Sequence, residues 1–270
     1  MKGLNKIALV AAIAAAPLAA NAELTALNDS TMSNLTGQAG VTIELQTKID
    51  IGNVVYTDEG SLNLAGVHVG GGAITTDAST GNVDGVSGNL DDLVATIDIN
   101  LDGDAVIDVH SISGLPIDFA MAVESATLVG ATDSTVLASN IGITGLLSSL
   151  NLTVDTATDT LIASVGFSVE NLDMDIDFLA VGIRGLSIHG TGYVAGTTTM
   201  ADAANYAGVV ATVGSVANTR AAGGSALSIG LSTFAADINI AAIEIGGTSI
   251  GTLQLNDLVI SNTSLQVYGH

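Results

Sequence analysis

The rhythm of apolar residues from Val41 onward narrows the possible folds more than any other feature of this chain. Val41, Ile43 and Leu45 alternate with Thr42, Glu44 and Gln46, and Ile49 with Ile51 resumes the pattern. Alternation at two residues puts one class of side chain on each face of a β-strand. The same texture returns as Ile97/Ile99/Leu101, Ile117/Phe119/Met121/Val123, Val165/Phe167/Val169 and Leu172/Met174/Ile176/Phe178. Several stretches contain one three-residue step within the alternation: Leu62, Leu64, Val67, Val69; Ile238, Ile240, Ile243, Ile245; and Leu253, Leu255, Leu258, Ile260. In a flat strand that step would carry the second half onto the opposite face. A bulge or corner at the step returns it to the first. The pattern therefore predicts strand, corner, strand.

Copies of this texture begin near residues 43, 62, 97, 117, 141, 165, 183, 238 and 253, mostly about 20 residues apart. A repeat of that length predicts an all-β, elongated β-solenoid or β-roll, with an antiparallel β-sandwich as the alternative. Two Gly/Ser/Thr/Ala-rich stretches, near 70–88 and 190–224, read as loops within one β-rich domain spanning 41–270. Ahead of it, residues 23–40 read as a short helix and a Gly-rich turn. Leu24, Leu27, Met32 and Leu35 recur at helical spacing, and Gly37 supplies the stop.

The first 22 residues have the layout of an export signal. Lys2 and Lys6 precede a largely Ala/Leu/Ile/Val run from Ile7 to Ala20, and Ala20-Asn21-Ala22 fits the small-x-small cleavage rule. Cleavage there leaves Lys48, Arg184 and Arg220 against 27 acids, a formal charge of −24, and no transmembrane segment in the mature chain. That charge repels phosphate backbones and argues against nucleic acid as a partner. The absence of Cys removes disulfides, thiolate metal sites and a catalytic thiol. Aromatic content of 3% is too low for the girdles of a membrane barrel. Most carboxylates cannot have a cationic partner, so they are expected to be solvated, screened by salt, or bound to metal.

The best metal candidate is Asp98, Asn100, Asp102 and Asp104, whose alternate oxygens around Gly103 match the first half of a calcium loop. Val109 stands where the bidentate Glu of that loop belongs, and Asp-Gly is also an ordinary hairpin turn. Asp173, Asp175 and Asp177 project from one strand face as a solvated acidic ladder that discourages edge pairing. Gly247-Thr-Ser249-Ile-Gly251 matches the hydrolase nucleophile motif, but strand-like sequence follows where a helix is required. His68 and His189 precede or approach glycines at expected strand ends, where an exposed imidazole is the simplest reading. No catalytic residues are assigned.

The segment Glu23-Leu-Thr-Ala-Leu-Asn-Asp-Ser-Thr-Met-Ser-Asn-Leu-Thr-Gly-Gln-Ala-Gly-Val-Thr-Ile-Glu-Leu45 resembles the opening of exported gammaproteobacterial surface proteins of the Fil-type pilus-system family. Those proteins carry a signal peptide, a closely similar stretch, and then acidic β-rich sequence. The resemblance implies association with the cell surface or an appendage and implies no catalytic residues.

Together these features predict an exported, non-enzymatic structural or adhesive protein of a Gram-negative cell surface, associated with a pilus-like appendage. Its expected partners are other copies of itself or appendage components. Export through the inner membrane to the outer surface is the expected route, with the periplasm as the alternative destination. The competing function is a calcium-assisted polysaccharide-acting enzyme on a β-helix scaffold. Few aromatics for sugar stacking and few cations for acidic polymers count against it.

Overall fold

The structure, a computed structural model, describes residues 40–193, 205–217 and 225–268. The signal segment and the helix expected over 23–37 lie outside the described residues. The described chain is nearly all β, with no α-helix and one 3₁₀ turn at Asp177–Leu179. Its strands are β1 (Val41–Thr47), β2 (Ile49–Thr57), β3 (Ser61–Thr76), β4 (Val83–Gly88), β5 (Leu90–Ile99), β6 (Ala105–Ser111) and β7 (Ile117–Val129). They continue as β8 (Ser134–Asp155), β9 (Thr160–Ile176), β10 (Val181–His189), β11 (Ala207–Ala217), β12 (Ser225–Ile245) and β13 (Thr248–Val267).

The strands join into one large antiparallel sheet, and their pairing is simplest as eight long rows. Row 1 is β1 followed by β2. Row 2 holds β3, which pairs with β2, and β5, which pairs with β1. Row 3 is β6 beside β5 and β7 beside β3, and row 4 is β8, which spans both. Row 5 is β9, row 6 is β10 with β11, row 7 is β12 and row 8 is β13. The chain runs up one row and down the next.

This meander corrects the solenoid expectation. A solenoid rung returns in the same direction and pairs in parallel, whereas every row here pairs antiparallel with its neighbours. The spacing of about 20 residues is the length of a row plus its turn. Two equal facing sheets of a sandwich are not formed by the described residues either. The two stretches expected as loops are also corrected, because both contain strands. Residues 71–88 leave row 2 as a hairpin of β3 with β4, and β11 lies within 190–224. Gly and Ser hid these strands by interrupting the apolar alternation.

The corners are real. Gly66 in β3 and Gly185 in β10 sit at the three-residue step with φ near +56° and +59°. Asn140 in β8, Asp92 in β5 and Asp257 in β13 adopt the same left-handed conformation at such steps, and Asn262 adopts it further along β13. Gly, Asn and Asp are the residues that tolerate it best. The turn realigns the apolar face, and a hydrophobic line crosses all eight rows in register: Ile49, Val69, Met121, Ile143, Leu172, Leu186, Ile240 and Leu253. On the opposite face, Val83 and Val86 of the β3–β4 hairpin pack on Ala120 and Ala122. A second cluster joins Leu93, Val109 and Ile117, with Leu147 and Leu150 against it.

Candidate functional site

The face opposite the hydrophobic line carries the polar chemistry, and the corners organise it. A left-handed corner turns its N–H away from the regular ladder, and a buried N–H needs a partner. Carboxylates of neighbouring strands supply it. Gly185 N–H donates to Asp173 Oδ1 at 2.7 Å, and Asp257 N–H donates to Asp237 Oδ1 at 2.7 Å. Turns use the same device. Asp77 accepts from Ser79 and Thr80, Asp92 from Ser113, Asp155 from Ala157 and Thr158, and Asp118 from Gly72. Hydrogen bonds from Ser79, Ser113 and Thr158 hold the carboxyls of Asp77, Asp92 and Asp155 below their ordinary range. Many acids thus pair with the backbone, a fate that composition could not reveal.

Two acid–base–acid triads, one built on His68 and one on Arg184, span neighbouring rows. In row 2, His68 lies between Asp50 of row 1, with Nδ1 and Oδ1 2.6 Å apart, and Glu124 of row 3, whose Oε1 is 3.8 Å from Nε2. His68 is largely buried in the middle of β3, which corrects the expectation of an exposed strand-end imidazole. Its hydrogen bond holds the Asp50 carboxyl low. In row 6, Arg184 pairs with Asp175 of row 5 and reaches Glu244 of row 7 through Nε at 3.3 Å. Its Nη1 also donates to Met174 O at 2.8 Å. Burial pushes the Asp175 carboxyl up, but the Asn140 amide at 2.9 Å and the Arg184 guanidinium outweigh it and hold it low. Asp173 and Asp175 are therefore committed to protein donors, which corrects their reading as a freely solvated ladder. His189 closes β10 as expected, but it too is buried, stacked on Tyr193 with ring centroids 3.9 Å apart and 3.7 Å from Glu170.

The calcium candidate forms the β5–β6 turn. Asn100 N–H donates to Asp104 O and Gly103 N–H to Asn100 O, the pattern of a tight hairpin. Asp104 Oδ1 accepts from Thr156 N–H at 2.9 Å and Thr156 Oγ at 3.0 Å, and Asp102 Oδ1 accepts from Asp104 N–H at 3.2 Å. Asp98 lies at the other side of the turn, beside Gly40. Among the described residues, no group of three or more His, Asp or Glu side chains is gathered for a metal. Ser249 lies in β13, just past the β12–β13 turn, and strand follows it, so the nucleophile motif has no elbow.

The surface with the most unsatisfied character is the pair of outer rows. Among the described residues, β1 pairs only with β5, β2 only with β3, and β13 only with β12. Among the described residues, each outer row therefore leaves one edge of backbone donors and acceptors unpaired. Large apolar side chains line both rows. Ile43, Leu45, Val55 and Tyr56 are exposed on row 1, and Ile250, Leu253, Val259 and Leu265 on row 8. Tyr56 reaches 67% exposure and Ile250 62%, values that mark an unburied contact surface. Lys48, whose ammonium donates to Val86 O, is the single cation of the two rows.

Residues 1–101 match the model of a family described as "Family of unknown function (DUF6160)". The match takes in β1 to β5, and so ends as row 2 closes. No curated protein and no solved structure matches the chain.

Proposed function

We propose that this chain is an exported, non-enzymatic structural or adhesive component of the bacterial cell surface, associated with a pilus-like appendage. The observation that carries the reading is the pair of long outer rows, open along their edges and lined with exposed Ile, Leu, Val and Tyr. Monomeric proteins blunt such edges with charge, Pro or a covering element, because an open strand recruits another. Here Glu44 and Asp50 on row 1 and Asp257 on row 8 are the only acids of those rows. The export-like leader and the Fil-type opening support the same setting. Calcium at Asp98–Asp104 would be auxiliary, since the turn is already closed by Thr156.

Proteolysis of intact cells tests the location. The mature protein is expected to be digested by an added protease that leaves periplasmic markers whole. Protection until the outer membrane is permeabilised would place it in the periplasm and defeat the surface role.

A further inference from the structure

We infer that the outer rows bind each other between copies, row 8 of one chain pairing antiparallel with row 1 of the next, so that the protein assembles head to tail into one continuous sheet. The partner is a second copy of this chain. The inference rests on the surface reading only for where the assembly forms.

Row number gives the first argument. With eight alternating rows, β13 runs opposite in direction to β1–β2. A second copy in the same orientation therefore offers row 1 antiparallel to row 8, and the up-and-down order continues unbroken. An odd number of rows would have required a parallel junction. The contact is heterologous and leaves a free edge at each end, so it propagates instead of closing.

Length and face give the second. Row 1 spans 41–57 and row 8 spans 248–267, so each is long enough to cover the other. Both carry a glycine inside a three-residue apolar step, Ile51-Gly52-Asn53-Val54 on one and Ile250-Gly251-Thr252-Leu253 on the other. Aligning those steps sets Leu253 beside Ile51, Leu255 beside Ile49 and Ile250 beside Val54 of the next copy. The apolar faces of the two rows then coincide, with the hydrophobic line stepping by two residues from Leu253 to Ile51 as it enters the neighbour.

Charge gives the third. The same alignment brings Lys48 of the next copy alongside Asn256 and Asp257, the latter the only acid of row 8. The chain also contains a template for the junction. Rows 4 and 5 meet through β8 and β9, joining rows 1–4 to rows 5–8. Row 2 and row 6 match as Leu64-Ala-Gly66-Val-His-Val69 and Ile183-Arg-Gly185-Leu-Ser-Ile188, so the two halves share a plan. The intermolecular contact repeats within the assembly what rows 4 and 5 do within the chain.

Two doubly substituted chains test the geometry, Val54→Lys with Tyr56→Lys on row 1, and Ile250→Lys with Val259→Lys on row 8. All four side chains are exposed, and circular dichroism checks that both variants retain the sheet. By sedimentation velocity the mature wild-type protein is expected to form species beyond dimers as concentration rises. Each variant alone should lose every species above monomer, and an equal mixture should give dimers and nothing longer. A row 1 variant that dimerises alone would mean row 8 pairs with itself, and wild-type protein that stays monomeric would mean the edges are covered within one chain. Either overturns the inference, and the second leaves the surface reading to stand on the protease result. Because the chain has no Cys, Ile51→Cys and Leu253→Cys made in separate copies supply a readout without lysines. A short bismaleimide should yield the mixed dimer in excess of either self-linked dimer; an excess of self-linked product refutes the pairing.

Discussion

Rows 2 and 6 face the same problem with different chemistry. Each is made of two strands, each has a left-handed glycine at its corner, and each sets a basic residue between acids of the flanking rows. Row 6 uses Arg184, charged at every physiological pH and bonded to two strands at once. Row 2 uses His68, which carries charge only when protonated, against the well-exposed Asp50 and Glu124. The difference lies in how well water could replace the base. Asp175 and Glu244 are about 30% exposed and would lose their partner in a partly dry setting, whereas Asp50 at 55% would be hydrated.

The largest expected effect comes from removing that contrast. Arg184→Leu strands two carboxylates and frees the Met174 carbonyl, costing about 2 kcal/mol after allowance for solvent screening. In a domain of this size that lowers the melting midpoint by roughly 4–8 °C. His68→Leu should move it clearly less. Equal shifts in the two variants, measured by circular dichroism melts, would show that solvent access does not separate the rows.

The glycines come next. A Cβ at Gly66 would run into the flexible Glu124 side chain, and one at Gly185 would meet the Ala241 Cβ at 2.9 Å. Both positions also require the left-handed region, which costs a β-branched residue about 1–2 kcal/mol. Gly66→Val is therefore expected to lower the midpoint, while Gly66→Asn loses much less because Asn holds this conformation at position 140. Gly185→Asn should be worse than Gly66→Asn, since the Ala241 Cβ cannot swing aside as Glu124 can. Melts of the three variants against the unsubstituted protein rank the two corners directly.

These corners also mark the limit of what could be read from residues alone. The steps Leu64-x-x-Val67 and Leu255-x-x-Leu258 announced a turn in the strand, and the apolar alternation announced the sheet. A repeat of about 20 residues could not say whether the chain circles or doubles back, because apolar pattern carries no strand direction. Strands β4 and β11 escaped notice because Gly, Ser and Ala blur the alternation that marks the others. The triads were invisible for another reason. Asp50, His68 and Glu124 sit on three different strands, and only the register of β2, β3 and β7 brings them together. The acidic excess was obvious, but its use as an acceptor for corner and turn N–H groups depends on backbone angles that no composition contains.

The smallest effect concerns those acceptors and acid pH. Hydrogen bonds from protein donors hold the carboxyls of Asp50, Asp77, Asp92, Asp155 and Asp175 below the unfolded value of 3.8, despite some burial acting the other way. A depressed folded-state value means that the unfolded chain takes up the proton first as pH falls. The stabilising contribution is thus complete above the ordinary carboxylate value and is lost as pH drops through the folded ones. Melting midpoints should hold steady from pH 7 down to about 5 and fall increasingly below about 4. Asp92→Asn keeps the left-handed corner and an oxygen for the Ser113 N–H but removes one titration. Its midpoint at pH 7 should change little, and its decline below about pH 4 should be shallower than that of the unsubstituted protein. A decline that stays equally steep would mean that the acid limb belongs to the other lowered carboxyls, and comparison of Asp50→Asn with Asp175→Asn would then tell the share of row 2 from that of row 6.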